Sequence, residues 1–409
     1  MDNLELRVLV AGWSGTTTSI ISTWWTSHGL TVLRLACAVM ALLAALKLGD
    51  EFRRLVWEPG HNGAVDLKLR HAEVHDWFAG KPVYQERPTA VYPPASYALL
   101  WPLLGWLPLA PTRWLWAVTS VVALGWLVYL IVQRSGSDSR LEHAFVALTA
   151  LSMNATGVTI GNGQLGVHLL PVLLGGLLLL QHLGCGWQRN LLASGMIVVA
   201  LVKPSISLPF LWMVLFAAGG LHIISLVSFG YVALTVCAAS FQESGLALLL
   251  RDWLALGTTV VVKGGYANLH MWLATIGLEK WVLPASLLVL AALGLWTYRH
   301  RNSDFWLLLG VTAIAARLWT YHRVYDDVLI LFPMVALFRI AKRRFSTEES
   351  GVLAGLLLAT TLVAMLAPAR LQHFPSPWSL LYTGGHAVIW IAVLGFLLDQ
   401  ARRDRNAQV

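Results

Sequence analysis

Charge is scarce in this chain. Asp, Glu, Lys and Arg make up 12% of its 409 residues, where a soluble domain of ordinary composition carries about 25%. So few charges cannot clothe a water-exposed surface of this size, which excludes a soluble globular protein. Cysteine is equally sparse. Cys37, Cys185 and Cys237 each lie in or beside an apolar segment, and no pair suggests a disulfide framework or a metal site. The apolar runs are continuous rather than alternating, which excludes a membrane β-barrel. No internal repeat is visible, so the matched halves of many transporters are missing. Residues 1–28 are too polar for a cleavable signal peptide and lack its cleavage pattern, so the first apolar segment is expected to act as its own anchor.

What the chain has is long apolar runs: 57% of it is hydrophobic and its mean hydropathy is +0.65. Segments long enough to cross a bilayer as helices recur throughout. They predict an all-α polytopic membrane protein forming a single membrane domain. Twelve spans are expected, near residues 30–48, 93–109, 114–132, 143–160, 165–183, 191–218, 221–241, 281–298, 305–318, 328–340, 351–367 and 380–398. The run 191–218 is too long for one untilted span and short for two; Lys203-Pro204 at its middle predicts one long, kinked helix, with a hairpin and one fewer crossing before it as the alternative. Residues 1–28, with Trp13, Trp24 and Trp25, suit an interfacial or cytoplasmic segment, and 399–409 a cytoplasmic tail.

With twelve spans both termini are cytoplasmic. Residues 49–92, residues 242–280 and the turn around Arg317–Asp327 then share the opposite side. Lys342-Arg343-Arg344 and the C-terminal arginines fall inside, as the positive-inside rule asks, whereas Arg134, Arg140 and Arg189 fall outside against it. The net charge of +8 therefore reads as topology and anionic-lipid attraction, and no nucleic-acid partner is expected.

Polar chemistry is concentrated in one place. Of the 50 charged residues, 13 lie between Asp50 and Arg87. The turn Gly60-His61-Asn62-Gly63 is followed by a helix over Val65–Phe78, with Leu67, His71, Val74 and Phe78 on one face and Asp66, Arg70, Glu73 and Trp77 on another. Such a helix, closed by Gly80 and Pro82, suits the membrane surface. Asp66 at its start can serve as a general base, kept ionised by the helix N-terminus. It can equally be an N-cap or the partner of Arg70 one turn on, and Glu73 and Asp76 read as surface charges.

Further candidates lie downstream. Lys203 is an intramembrane lysine, which fits a phosphate contact or a lysine paired inside the bundle. His322 and Arg323 can hold a phosphate, with Asp326 and Asp327 orienting them. Lys263, Tyr266, Asn268 and His270 surround a Gly-Gly pair in the second outer loop, with a connector as the plainer reading. Gln164 and Asn162 suit hydrogen bonds across helices. Trp57, Trp77, Trp253 and Trp272 are outer aromatics able to stack on sugar rings. The histidines His61, His71 and His75 make no metal set.

Three motifs recur in a telling order. Asp66 precedes a helix, then Gly80-Lys81-Pro82-Val83-Tyr84, then Tyr92-Pro93-Pro94 opening a span. Gly161-Asn162-Gly163-Gln164 follows, and then Ala200-Leu201-Val202-Lys203-Pro204. From about residue 30 to 218 this order resembles glycosyltransferase family 87, membrane enzymes of the GT-C fold that include mannosyltransferases. Tyr321-His322 and Asp326-Asp327 add a weaker likeness. The resemblance implies a GT-C-type bundle, a polyprenyl-phosphate sugar donor and a glycolipid or envelope glycan acceptor. It also implies extracytoplasmic transfer, in a bacterial plasma membrane, with inversion. It places the catalytic Asp of the first outer loop at Asp66, and it makes Tyr92 and Gln164 candidate substrate contacts. Mannose is the expected sugar and arabinofuranose an alternative. No cofactor is expected, and the acid pair leaves a divalent metal open. A lipid-linked-sugar flippase or another polytopic transporter is the competing function, and it would not need Asp66 for turnover.

Overall fold

The computed structural model describes residues 3–60, 62–181, 186–261, 266–344 and 349–406. Lys263, His61 and Cys185 lie outside the described residues. The described chain is helical throughout, without a strand. Among the described residues six helices are long and apolar enough to cross a membrane, or up to eight if two bent pairs each count as one span. The chain is an integral membrane protein of helical class.

Helix α1 runs Asn3–Val56, so the segment expected at the interface continues into the first span. Helix α2 is Val65–Phe78. Next comes α3, Pro94–Leu104. At 11 residues it is far short of the roughly 20 a crossing needs, and Gly105 is its C-cap. Helix α4, Leu109–Arg134, makes the full-length crossing. Helices α5, Arg140–Ser152, and α6, Asn154–Asn162, are bent 47° apart at Met153. Thr156 Oγ1 donates to the freed Ala150 carbonyl at 2.7 Å. Helix α7 is Gly166–Leu180 and α8 is Trp187–Ala200.

The expected single kinked helix over 191–218 does not form. The chain turns by 119° between α8 and α9, Pro204–Leu215. Pro204 has no N–H to continue the ladder, and its ring pushes Lys203 out of the helical region, to φ −125° and ψ 83°. The loosened carbonyls find donors: Ser207 Oγ on Ala200 at 2.6 Å and Ser96 Oγ on Val202 at 2.7 Å. Backbone can break at membrane depth only where such partners exist.

Helices α10, Gly220–Ala239, and α11, Leu246–Val261, follow. The latter lies inside what reads as a loop in the sequence, because Arg251-Asp252 interrupts its apolar positions. Helices α12, Val282–Arg299, α13, Phe305–Leu318, α14, Leu331–Arg344, α15, Glu349–Leu366, and α16, Trp378–Asn406, complete the bundle.

One expectation about sidedness is overturned. Lys342 pairs with Asp138 at 2.7 Å and with Glu142 at 2.5 Å, and Arg339 donates to the Arg134 carbonyl at 2.7 Å. The turn carrying Arg134 and Arg140 therefore shares an end with Lys342, not with Asp66. Arg189 lines the same groove as Arg134. The cause is α3, which is too short to cross, so every later segment up to the break at Lys203 changes side. Arg134, Arg189 and Lys342, which the twelve-span reading divides between two sides, then share one.

Candidate active site

The site is built around the start of α2. Three neighbours lock it there. The Ala64 N–H donates to the Gly161 carbonyl at 3.1 Å. Asn162 Oδ1 accepts from Arg54 at 2.8 Å, tying the end of α6 to α1. Gly163 caps α6 in the left-handed region, at φ +69°, and faces Leu67 of α2, so close that a Cβ would stand 2.4 Å from the leucine's own. The Gly-Asn-Gly-Gln motif is thus a cradle for α2. Gln164 is buried next to it, and its Oε1 meets no donor among the described residues.

Ala64 is the N-cap of α2, at φ +50°, and no side chain caps the helix. Asp66 is accordingly not the N-cap. It stands in the first turn, where the helix dipole still favours its charge. Nor does it pair with Arg70. That guanidinium turns to Glu73 at 2.7 Å and to the Thr89 carbonyl at 2.9 Å, and it lies over the Tyr92 ring at 4.7 Å. Asp66 is half-buried, and no hydrogen bond or ion pair ties its carboxylate to another described residue. It acts electrostatically on Tyr92, Tyr321, Arg323 and Tyr325, so α2 and the 321–327 turn, distant in sequence, share one locus.

Glu73 and Asp76 are not the surface charges their spacing suggests. Asp76 is paired with Lys81 and Arg87. Glu73 is fully buried. Burial raises its carboxyl to about 7, against the pull of Arg70 and Arg87. In the unfolded chain it titrates near 4.5. Between those values the folded protein holds the extra proton, so stability falls as pH rises through this window and levels off above it. Melting curves over that range are expected to show this slope in the wild type and to lose it in Glu73→Gln. Parallel profiles would reject the assignment.

The 321–327 turn carries a second network. Lys203, freed from the helix by Pro204, reaches Asp326 Oδ1 at 2.5 Å. His322 Nδ1 meets the other oxygen at 3.0 Å, and the Arg323 N–H donates to it at 3.3 Å. Burial raises the Asp326 carboxyl, but Lys203 and His322 outweigh it and hold it well below the usual range. Burial also lowers the basicity of His322, despite Asp326. Its Nε2 is buried and unpartnered. Arg323 is exposed, with Nε on the Tyr321 hydroxyl, and the Lys203 ammonium sits 4.9 Å from the Tyr325 ring centre.

Four of the remaining candidates, Tyr266, Asn268, His270 and Asp327, hold the scaffold. Asp327 binds Arg317 Nε at 2.5 Å and accepts from the Tyr266 hydroxyl. Asn268 caps the turn of helix Leu269–Thr275 through Met271 N at 2.9 Å and donates to the His322 carbonyl at 3.4 Å. His270 Nε2 lies 2.7 Å from Ser286 Oγ. Tyr92 is buried under Arg70, and its carbonyl accepts from Tyr84. Trp77, an outer aromatic in the sequence, is wholly buried, stacked on Tyr97 with its N–H on the Ala238 carbonyl. It cannot meet a sugar. Tyr325, whose ring faces Lys203 and which feels the Asp66 charge, carried no sequence signal of its own. Among the described residues no three His, Cys, Asp or Glu side chains converge on a metal position.

The model of glycosyltransferase family 87 matches residues 90–320, more than half of the chain. The chain belongs to glycosyltransferase family 87. No curated protein and no solved structure matches it. A membrane glycosyltransferase must bring a sugar donor and an acceptor together, and the transferase carries its polar cluster at one end of the bundle. The match takes in the 161–164 cradle, Lys203 and residues 266–270. It stops short of Asp66 at one end and of 322–327 at the other, so the roles of those residues rest on geometry.

Proposed function

We propose that the transferase moves a sugar from a polyprenyl-phosphate donor to a hydroxyl of a lipid-linked or envelope glycan, with inversion. The observation that carries this reading is Asp66: a half-buried carboxylate with no hydrogen bond or ion pair to another described residue, on a helix locked in place and within electrostatic reach of Arg323. The acceptor hydroxyl loses its proton to Asp66 as its oxygen attacks the anomeric carbon. The bond from that carbon to the phosphate oxygen breaks, and the polyprenyl phosphate leaves with the electron pair. Exposed Arg323 and partly exposed Lys203 offset the growing charge. An arriving phosphate also favours protonation of His322, whose Nε2 is then a free donor held in place by Asp326 through Nδ1.

Direct displacement needs one base and no covalent nucleophile. A polyprenyl donor suits a site at a membrane end, because its phosphate sits at the bilayer surface. Arg134, Arg140, Arg189 and Lys342 at the opposite end favour an extracytoplasmic position for Asp66 in a bacterial plasma membrane. Mannose is the proposed sugar, with arabinofuranose next. Gln164 and Tyr92 border the site and are its proposed substrate contacts. Purified protein offered radiolabelled polyprenyl-phosphate mannose or arabinofuranose is expected to transfer label, and to transfer none from GDP- or UDP-sugars. Transfer from a nucleotide sugar in polyprenol-free membranes would sink the donor class.

A further inference from the structure

A groove of about 630 Å³ lies between α4, α7 and α8 at the end of the bundle away from Asp66. Its walls are apolar, from Trp126, Leu130, Leu178, Leu192 and Met196, and open toward the hydrocarbon: Leu192 is 57% exposed. Polar groups gather at one end, where α4 finishes and α8 begins. They are Gln133, Arg134 and Arg189, and among the described residues no acidic side chain lines the groove. Arg134 is exposed, while its carbonyl is held by Arg339, so the end of α4 is anchored with the guanidinium outward. Arg189 is in the first turn of α8, whose N-cap, Gly186, supplies no side chain to the open N–H groups there. Two cations and a helix N-terminus thus face one spot, at the level where headgroups meet hydrocarbon.

We propose that this groove binds one anionic phospholipid of the adjacent leaflet, its alkyl chain along the Leu178–Leu192 wall and its phosphate between Arg134 and Arg189. Packed interiors leave few voids, and water does not fill an apolar groove open to hydrocarbon, so a lipid chain is the available occupant. The arginines decide which lipid. A guanidinium binds phosphate oxygens in a bidentate fork, and basic pockets between transmembrane helices select anionic headgroups. The Asp66 site plays no part in this, so the proposal stands apart from the transferase reading.

The test is lipid retention by native mass spectrometry of the full-length protein in detergent, titrated with phosphatidylglycerol or phosphatidylcholine. The first phosphatidylglycerol is expected to bind about 30-fold more tightly than phosphatidylcholine, from two headgroup contacts. Arg134→Ala/Arg189→Ala should bring the ratio close to one. Leu192→Trp fills the groove and spares the arginines, and should weaken both lipids. Equal binding of the two lipids by wild type overturns the proposal, as does a ratio unchanged in the double variant. Displacement of phosphatidylglycerol by excess inorganic phosphate would make this a free-anion site. Displacement by polyprenyl phosphate at equal concentration would make it a donor site. Either result overturns the assignment to phospholipid.

Discussion

Asp66→Asn is expected to lower transfer by about 10²- to 10⁴-fold, the range a positioned general base contributes. The loss should fall on kcat, with donor binding unchanged within a few-fold. The substitution is nearly isosteric and removes only the ability to take a proton. Because the carboxylate caps no helix and has no hydrogen bond or ion pair to another described residue, no structural partner is left stranded. The fold should hold to within about 0.5 kcal/mol, as for a surface exchange. That separates it from the buried acids nearby, whose replacement would confound chemistry with unfolding. Single-turnover transfer of label from a polyprenyl-phosphate sugar measures the chemical step, and the melting temperature of the same preparation checks the fold. Full activity in Asp66→Asn would remove the base. Lost donor binding alongside lost transfer would make Asp66 a binding residue instead.

The parts of this molecule that were legible in its sequence are those set by local pattern. Val65–Phe78 and Phe305–Leu318 form with the bounds their periodicity predicts, and the 161–164 turn carries the cross-helix bonds expected of Asn162. What was not legible depends on partners far along the chain. The sidedness of Arg134 turns on α3 stopping at 11 residues instead of crossing, and it shows only through Arg339 and Lys342, some two hundred residues on. The break at Lys203-Pro204 was visible as a kink. Its 119° reversal needs Ser96 and Ser207 to satisfy the opened carbonyls. Arg70 and Glu73, three apart on a helix with a polar face, look like a solvated pair until Thr89 and Tyr92 are folded over them. Local spacing cannot distinguish a face turned to water from one turned to a buried loop.

Asp326 and Asp327 put the difference between site and scaffold into adjacent residues. They look interchangeable in the sequence, yet they face separate partners. Asp327 neutralises Arg317, which has no exposed surface and is otherwise cushioned by the faces of Trp390 at 4.6 Å and Tyr266 at 5.1 Å. Removing one member of such a pair strands a buried charge. Asp327→Asn is therefore expected to destabilise the protein by about 3–5 kcal/mol, which at this size is a fall in melting temperature of roughly 5 °C. Arg317→Met/Asp327→Leu, which removes both charges, should recover most of that loss. Asp326 also bridges two groups, but Lys203 retains some exposure, 13% of its side chain, and can be solvated or meet a phosphate. Asp326→Asn should therefore cost less stability. Its main effect should be on transfer, by about 10²-fold, because Lys203 and His322 lose the oxygens that aim them and small misplacements carry penalties of that order. Thermal unfolding and kcat measured on both variants give the comparison. If Asp326→Asn unfolds as readily as Asp327→Asn while its folded fraction keeps wild-type kcat, Asp326 is scaffold too, and the Lys203–His322 network is not part of the donor site.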